Sequence, residues 1–348
     1  MTNLMKHSSS STTIVESNQP SKAFIIPTNL NWDKIAWLTT VLGVLILPLL
    51  LGDGFYLTLM NFIALYSMVA LGLCLLVGYG GQLSLSHSAF YAIGAYSSAI
   101  FCLRFGLHPI IAIILSQCLS ALIAWGIGVV VLRLRGHYLA IATLSFAMIV
   151  EVLLRELGWL TGALRGLSEI PAISLGGFLF DTDMRFYFFV WPVTLLLLLF
   201  ALNLVNSRIG RAFRAIREDE GVAAIFGTDV RKYKIKLFII SSVYASMAGS
   251  LFAHYVTYIS PAVCSIMFAV EIILVIAIGG YTMIWGAILG VAVITYLNEY
   301  LAFFAEYKRT VYGIALIVIM IFFPNGIFHS LKTSAAHLLK LVQRNSEQ

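Results

Sequence analysis

Residues 206–236 read NSRIGRAFRAIREDEGVAAIFGTDVRKYKIK, and this run places eight basic side chains between two long apolar segments. Basic residues in short loops are retained on the cytoplasmic side of a membrane, so we expect this loop to be cytoplasmic and to fix the orientation of the chain. Acidic residues are interleaved with the basic ones: Glu218, Asp219, Glu220 and Asp229. A loop of mixed charge suits docking to another protein better than docking to anionic lipid.

The composition of the whole chain is typical of a membrane protein. Of its 348 residues, 60% are hydrophobic and 11% are charged, and the mean hydropathy is +0.93. A water-soluble core of this size could not bury so much apolar surface. Apolar stretches of spanning length lie at 35–52, 55–78, 84–103, 109–132, 137–154, 186–205, 235–258, 265–281, 284–304 and 310–323. We therefore predict an all-α, polytopic integral membrane protein with about ten transmembrane helices, some of them short or interrupted.

Six spans before the basic loop and four after it would place both termini in the cytoplasm. We expect a disordered cytoplasmic tail at 1–33, because this stretch is polar and has no hydrophobic period. A transmembrane domain at 34–328 and a basic cytoplasmic tail at 329–348 would follow. No signal peptide is expected, since Lys6 precedes a polar run instead of an apolar one. Within the domain, 206–236 would face the cytoplasm and the glycine-rich loop 155–185 would face outward.

The sequence contains none of the motifs that support catalysis. A phosphate-binding loop needs glycines before a Lys-Thr pair, and Lys332-Thr333 lacks them. No zinc-protease helix, nucleophile elbow or paired metal ligands are visible, and the four cysteines have no metal or disulfide spacing. We therefore expect a conduit and not an enzyme, with no catalytic residue, metal site or nucleic-acid partner.

Interrupted helices mark the candidate path through the membrane, because glycine and polar groups at membrane depth are tolerated where they line a cavity or contact protein. The first interruption is GYGGQLSLSHSAF at 78–90. Its glycines can end the second span, and its polar side chains can then bind a solute. The candidate residues are Gly80, Gly81, Gln82, Ser84, Ser86 and His87. Two alternatives stay open: the small residues permit close helix packing, and His87 satisfies a backbone carbonyl.

The second interruption is GGYTMIWG at 279–286, which continues to Gly290. Gly286 and Gly290 have the spacing of a close helix contact, and we expect packing to be their main role. Glu271 precedes this segment inside a predicted span, where an ionisable group is costly unless it meets water or a partner. It is a candidate relay or gate on the path, or else it pairs with a hydroxyl such as that of Ser241 or Ser242.

Four segments occur in order within residues 55–328: GYGGQLSLSHSAFYAIGAY at 78–96, LRLRGHYLAIATL at 132–144, GRAFRAIREDE at 210–220 and PNGI at 324–327. Together they resemble the branched-chain amino acid ABC permease family, and within it the LivM-like subunit. The resemblance implies a multi-pass permease subunit of a bacterial ABC importer in the inner (plasma) membrane. Such a subunit translocates branched-chain or other apolar amino acids with ATP hydrolysed by partner subunits.

The resemblance also implies partners and a coupling site. The partners would be a second, LivH-like permease, two cytoplasmic ATPases, a periplasmic substrate-binding protein and membrane lipid. ATP and Mg would bind the ATPases, so this chain would need no cofactor. The family's Glu-Ala-Ala and glycine pattern falls in loop 206–236, and the candidate coupling residues are Arg214, Glu218, Asp219, Glu220, Ala223, Ala224 and Gly227. Helical spacing independently puts Phe213, Ile216, Ala223 and Phe226 on one face, and Arg211, Arg214 and Glu218 toward another.

The chain departs from the family pattern at two places. Residues 161–166 read TGALRG where the family often has Thr-Gly-Gly-Ser-x-Gly, and 279–283 read GGYTM where it often has Gly-Gly-x-Gly-Ser/Thr. Each departure replaces a glycine and reduces backbone freedom. Three alternatives remain: an importer of urea or short amides, a stand-alone ion-coupled secondary transporter that uses Glu271 and Glu151, and a structural or regulatory membrane protein whose basic loop recruits a signalling partner.

Overall fold

The computed structural model describes residues 54–134 and 136–301, together with 37, 43, 44, 48, 310, 311, 313 and 314. Backbone contacts divide the chain into one unit at 1–45 and a second at 46–348. In the first unit, the described residues Trp37, Gly43 and Val44 are helical. The second unit contains every helix and strand whose bounds are described.

Helices dominate the described part of the second unit. They are α1 Phe55–Leu73, extended by a π-helical turn at Cys74–Tyr79, then α2 His87–Phe105, α3 Pro109–Val131, α4 His137–Glu156, α5 Gly158–Thr161, α6 Asp183–Asn206, α7 Arg208–Glu218, α8 Glu220–Ile225, α9 Val230–Val256, α10 Ile266–Gly279 and α11 Ile284–Leu301. Short 3₁₀ turns lie at Ala163–Arg165 and Pro261–Cys264. A two-residue hairpin pairs β1 Ser174–Leu175 with β2 Phe178–Leu179, in the register Ser174 to Leu179.

The predicted fold class is confirmed. Each predicted span between 55 and 304 coincides with a helix, and the predicted spans 35–52 and 310–323 lie outside the continuously described residues. Among the described residues, five helices are long and apolar enough to cross a membrane: Phe55–Tyr79, Pro109–Val131, His137–Glu156, Asp183–Asn206 and Val230–Val256. Two shorter apolar helices, Ile266–Gly279 and Ile284–Tyr300, complete a multi-pass arrangement.

Polar N-cap side chains explain where several helices begin. The side chains of Thr182, Ser207, Asp229 and Ser265 each accept a hydrogen bond from a backbone N–H in the first turn of α6, α7, α9 and α10, respectively. Because Asp229 caps α9, this helix begins at Val230, five residues before the predicted span. The hydrogen bond that Lys232 donates to the Asp229 carboxylate lowers the pKa of Asp229.

Helix α9 packs against α1, α2 and α3 in the centre of the described bundle. A buried seam of hydroxyl groups joins it to α2 and α3. Ser116 lies 2.8 Å from Ser250, Ser120 donates to Ser246 over 2.7 Å, and Ser250 contacts the carbonyl of Gly94 over 3.0 Å. These hydroxyls bond one another or backbone carbonyls inside an apolar bundle, so they hold helices together without an unsatisfied group.

A second polar network ties α1, α6 and α9 together. The carboxylate of Asp183 accepts hydrogen bonds from Thr58 over 2.6 Å and from Tyr255 over 2.7 Å. Asn61 donates to the backbone carbonyl of Asp183, and Phe186 stacks on Tyr255 with ring centroids 4.2 Å apart. Neither this network nor the hydroxyl seam was predicted, because their members are far apart in the chain and belong to no motif.

The predicted outward loop, residues 155–185, is anchored to the end of α9. Leu167 and Ile259 exchange backbone hydrogen bonds of 2.9 Å, and His254 contacts the carbonyl of Pro171 at 2.7 Å. The loop contains α5, a 3₁₀ turn and the hairpin. Glu151 and Arg155, four residues apart near the end of α4, form an ion pair at 2.6 Å.

Candidate functional site

The first interruption is a real break between helices. Helix α1 ends in the π-helical turn Cys74–Tyr79, residues 80–86 are not helical, and α2 begins at His87. Gly81 has a φ of 64°, a left-handed conformation that glycine adopts without strain. A Cβ on Gly78 would overlap the carbonyl of Tyr281, so this glycine allows a close backbone approach.

The polar residues of the break differ in how they are satisfied. Ser84 and Ser86 contact each other at 2.9 Å. Ser241 donates to the carbonyl of Gly72, which leaves its oxygen to accept from Nε2–H of His87 at 2.6 Å. His87 therefore contacts a side-chain hydroxyl and not a backbone carbonyl, which corrects the alternative drawn from the sequence.

Gln82 stands apart from its neighbours. Its side chain is 3% exposed, and neither its amide oxygen nor its amide nitrogen has a hydrogen-bond partner among the described residues. An unsatisfied buried amide costs about 1–3 kcal/mol. Among the predicted pathway residues that the structure describes, Gln82 has both amide atoms unbonded and His87 has its Nδ1 unbonded.

The two interruptions meet each other. Tyr79 donates a hydrogen bond to the carbonyl of Thr282 over 2.7 Å, and the thiol of Cys74 lies 3.3 Å from the carbonyl of Tyr281. Gly279 and Gly286 are in backbone contact, where a Cβ on either would overlap the other. The expected packing role of the second interruption is confirmed at Gly286 and at Gly290, which approaches the backbone of Val275.

Loop 206–236 forms two helices joined at an elbow, which we define as α7 and α8 with Asp219 between them. Asp219 has an extended backbone, and its carboxylate accepts hydrogen bonds from the N–H groups of Gly221 at 2.7 Å and Val222 at 3.0 Å. It is thus the N-cap of α8. The predicted coupling residues Arg214, Glu218, Ala224 and Gly227 are exposed around this elbow.

The elbow contradicts the predicted position of Phe226 and gives Glu220 a structural contact. Phe213, Ile216 and Ala223 are buried on a common inner side, but Phe226 is 84% exposed, because α8 ends at Ile225 and the chain turns at Gly227. The expected four-residue face is therefore wrong at Phe226. Glu220 forms an ion pair with the buried Lys234 of α9, so its carboxylate holds the elbow onto the bundle.

Arg217 joins the elbow to the break. Its guanidinium donates a hydrogen bond to the carbonyl of Gly78, and its side chain lies against Gly81. A cavity of about 290 Å³ opens between the two segments and is lined by Gly80, Gly81, Ile216, Arg217, Glu218, Asp219, Glu220 and Gly221. Five of these were predicted site residues. Arg217 was not, because a single arginine in a basic loop has no distinguishing signal.

Glu271 lies away from this elbow cavity and lines a second one. Asn298 of α11 donates a hydrogen bond to its carboxylate. Ser241 and Ser242 bond other groups, the carbonyls of Gly72 and Phe238, so the predicted pairing of Glu271 with either hydroxyl is wrong. The second cavity has a volume of about 300 Å³ and is lined by Tyr66, Tyr91, Phe252, Ala262, Val263, Ser265, Met267, Phe268 and Glu271.

Residues 55–320 match the family described as branched-chain amino acid transport system / permease component. The protein LivM of Escherichia coli, a high-affinity branched-chain amino acid transport system permease protein, is 32% identical over 286 residues, which cover 76% of this chain and 67% of LivM. LivH of Salmonella typhimurium, with the same description, is 27% identical over 284 residues, 75% of this chain and 90% of LivH.

A more distant relative is the probable branched-chain amino acid transport permease protein LivM of Methanocaldococcus jannaschii. It is 26% identical over 247 residues, 63% of this chain and 70% of the relative. No solved structure matches the chain significantly. The family match covers most of the chain, and the 32% identity to LivM of Escherichia coli exceeds the 27% identity to LivH. This chain, with its glycine-broken helices and its helical elbow, therefore belongs to the branched-chain amino acid transport system permease family and is LivM-like.

Proposed function

We propose that this chain is one of the two permease subunits of a bacterial ABC importer in the inner membrane, and that it carries branched-chain or other apolar amino acids. ATP hydrolysed by partner subunits drives the transport. The names of LivM and LivH support the substrate class, since both are described as permease proteins of branched-chain amino acid transport systems.

The contact between the elbow and the glycine break carries this proposal. Arg217 of α7 bonds the carbonyl of Gly78, and the predicted coupling residues Asp219 and Glu220 share a cavity with the predicted pathway residues Gly80 and Gly81. A partner that moves the elbow therefore pulls directly on the segment where α1 ends. A stand-alone carrier would have no use for such a connection.

The outer surface of the elbow supports docking to a protein. Val222, Ile225 and Phe226 are all exposed, the last two at 84%, although charged residues surround them in the sequence. Apolar side chains clustered on a polar loop mark an interaction site, because water contact with them is unfavourable. We propose that they enter a groove of the ATPase, while Glu220 and Lys234 keep the elbow seated on this chain.

The proposed assembly contains this chain, a LivH-like permease, two cytoplasmic ATPases and a periplasmic substrate-binding protein. In it, loop 206–236 and the tails 1–33 and 329–348 lie in the cytoplasm, and loop 155–185 faces the binding protein. The permease domain extends over 34–328. ATP and Mg belong to the ATPases, and this chain translocates without catalysing a reaction.

The alternatives drawn from the sequence gain no support. None of the three relatives named here is described as a carrier of urea or amides. A secondary transporter would need Glu151 or Glu271 to exchange coupling ions, but Glu151 pairs with Arg155 and Glu271 accepts a hydrogen bond from Asn298.

The test is purification of the tagged chain from membranes in mild detergent, as wild type and as Phe226→Ser. We expect ATPase subunits to accompany the wild-type chain and to be lost from Phe226→Ser, because the variant removes exposed apolar surface without changing the buried core. Leu164→Ser is the matched control, since Leu164 is also exposed, at 73%, but lies in the outward loop.

Two results would contradict the proposal. If no ATPase accompanies the wild-type chain, the ABC importer is wrong and a stand-alone carrier takes its place. If ATPase is lost equally from Phe226→Ser and Leu164→Ser, the docking surface is wrongly placed. Uptake of labelled leucine, isoleucine and valine by cells that lack other carriers tests the substrate class, which is wrong if deleting this chain leaves uptake unchanged.

A further inference from the structure

The cavity around Glu271 lies within the transmembrane bundle, between α1, α2, α9 and α10. Glu271 is eight residues before Gly279, the end of α10 that meets the glycine break. At 1.5 Å per residue, this places the carboxylate roughly 12 Å along the helix from the break. The cavity volume of about 300 Å³ is at the lower end of the range for small-molecule sites.

Four aromatic rings line the cavity, those of Tyr66, Tyr91, Phe252 and Phe268. The ring centroids of Tyr91 and Phe268 are 5.0 Å apart, those of Tyr66 and Phe268 are 5.7 Å apart, and those of Tyr91 and Phe252 are 5.6 Å apart. Aromatic faces carry negative potential and attract cations within about 6 Å. Glu271 is the one acidic residue that lines the cavity, and no basic residue of the described chain lines it.

The unbonded hydroxyl of Tyr91 is a second, independent indication that this cavity is a binding site. Tyr91 is 2% exposed, and its hydroxyl has no hydrogen-bond partner among the described residues. Buried hydroxyl groups are bonded in the great majority of proteins, because leaving them unbonded costs free energy. A polar group of a ligand in the cavity would supply this bond.

We infer that this cavity binds the primary ammonium group of a small apolar amine, and that in transport this group is the α-ammonium of the amino acid. Glu271 supplies the opposite charge, and the bond from Asn298 orients its carboxylate. Tyr66 and Phe268 supply ring faces for the cation. Phe252 and Met267 give the apolar side chain of the ligand a wall of matching chemistry.

The identity of the bound cation as a transported amino acid rests on the proposed function, but the cavity chemistry does not. The first experiment therefore uses a ligand pair that is independent of transport. 3-Methylbutylammonium retains the ammonium and side chain of leucine without its carboxylate, and 4-methylpentanoate retains the carboxylate without the ammonium. Binding is measured by the shift of the thermal unfolding midpoint of the full-length chain in detergent.

We expect 3-methylbutylammonium to raise the midpoint of the wild-type chain and 4-methylpentanoate to leave it unchanged. Glu271→Gln keeps the shape of the side chain and an oxygen that can accept the hydrogen bond from Asn298, but it removes the charge. We expect this variant to bind the ammonium compound about tenfold or more weakly. Phe268→Leu should also weaken it, by removing a ring face. Glu299→Gln is the control, because Glu299 is exposed and does not line the cavity.

The inference is overturned if the ammonium compound gives no shift with the wild-type chain, or an equal shift with Glu271→Gln. Leucine uptake by cells that carry the same variants then separates the two proposals. Uptake that is normal in the wild type and in Glu271→Gln would keep the importer but remove the cavity from its path. Binding that depends on Glu271, in a chain that transports no branched-chain amino acid, would keep the cavity and refute the proposed substrate.

Discussion

Ala163 shows at the scale of a single residue how this chain accommodates a departure from its family. It stands where the family often has glycine, and its φ of 52° is in the left-handed region. A residue with a Cβ is strained there by roughly 1–2 kcal/mol. The second departure, Thr282 in place of a family glycine, causes no such strain. Thr282 is not among the described residues with positive φ, so its position does not require glycine.

Restoring glycine at this position should relieve the strain. We expect Ala163→Gly to change the free energy of unfolding by between zero and about 1 kcal/mol in the stabilising direction, because the relieved strain is partly offset by the greater entropy of glycine in the unfolded chain. Thermal or denaturant unfolding in detergent measures the change. Ala172→Gly is the control and should be destabilising, since Ala172 has no positive φ. Equal destabilisation by both changes would show that Ala163 is unstrained.

At the scale of secondary-structure elements, the crossing of α2 and α9 brings two central helices into backbone contact. A Cβ at Gly249 would overlap the backbone carbonyl of Tyr91, and a Cβ at Gly94 would overlap the backbone of Ser246. The absence of side chains at these two glycines lets the backbones touch and brings Ser246 and Ser250 into the hydroxyl seam.

Gly249→Ala should therefore separate these helices. The atoms that a Cβ at Gly249 would meet are backbone atoms of Tyr91, which cannot rotate away. We therefore expect a loss of about 1–3 kcal/mol in stability. The unfolding midpoint in detergent is the measurement. Gly126→Ala is a matched control inside α3, where a Cβ would meet nothing within 4 Å. This control should be neutral or stabilising by up to about 1 kcal/mol, because alanine favours the helix. The packing account fails if the two variants are equally stable.

At the scale of the whole molecule, Arg217 connects the polar elbow to the glycine break at the end of α1. The guanidinium of Arg217 reaches the carbonyl of Gly78, 139 residues earlier in the chain. Gly78 in turn touches Tyr281 of the second interruption. Loop 206–236, the end of α1 and the link between α10 and α11 thus form one contiguous set of contacts.

On the proposed function, Arg217→Ala should reduce transport and leave ATPase binding unchanged. A hydrogen bond from a charged donor contributes about 1.5–3 kcal/mol, so its loss should reduce leucine uptake by about tenfold or more. The ATPases should still co-purify, because Val222, Ile225 and Phe226 are unchanged. Arg211→Ala is the control, since Arg211 is exposed on the same helix. Equal uptake by the two variants would show that the bond to Gly78 does not transmit movement.

Much of the site was predicted in pieces but not as an assembly. The breaks at 80–86 and 280–283 follow from glycine and polar residues within short stretches, whereas the division of loop 206–236 into α7 and α8 at Asp219 was not predicted. Their mutual contacts could not be predicted, because the residues involved are far apart in the chain. The exposure of Phe226 was missed for a related reason: a helical wheel assumes that the helix continues, and α8 ends one residue earlier.

Local sequence was enough to establish that the chain is a membrane protein, that it is all-α, approximately where the described apolar helices lie and which family it resembles. Each of these depends on local composition or on short ordered motifs, which can be recognised in a sequence without knowing how the helices pack. Three contacts became known only from the folded chain: Arg217 bonds Gly78, Asn298 bonds Glu271, and four aromatic rings line the cavity beside Glu271. These contacts depend on which faces of the helices meet. In a membrane bundle those faces are selected by close packing and by scattered polar bonds, and a periodic pattern of apolar residues does not reveal them.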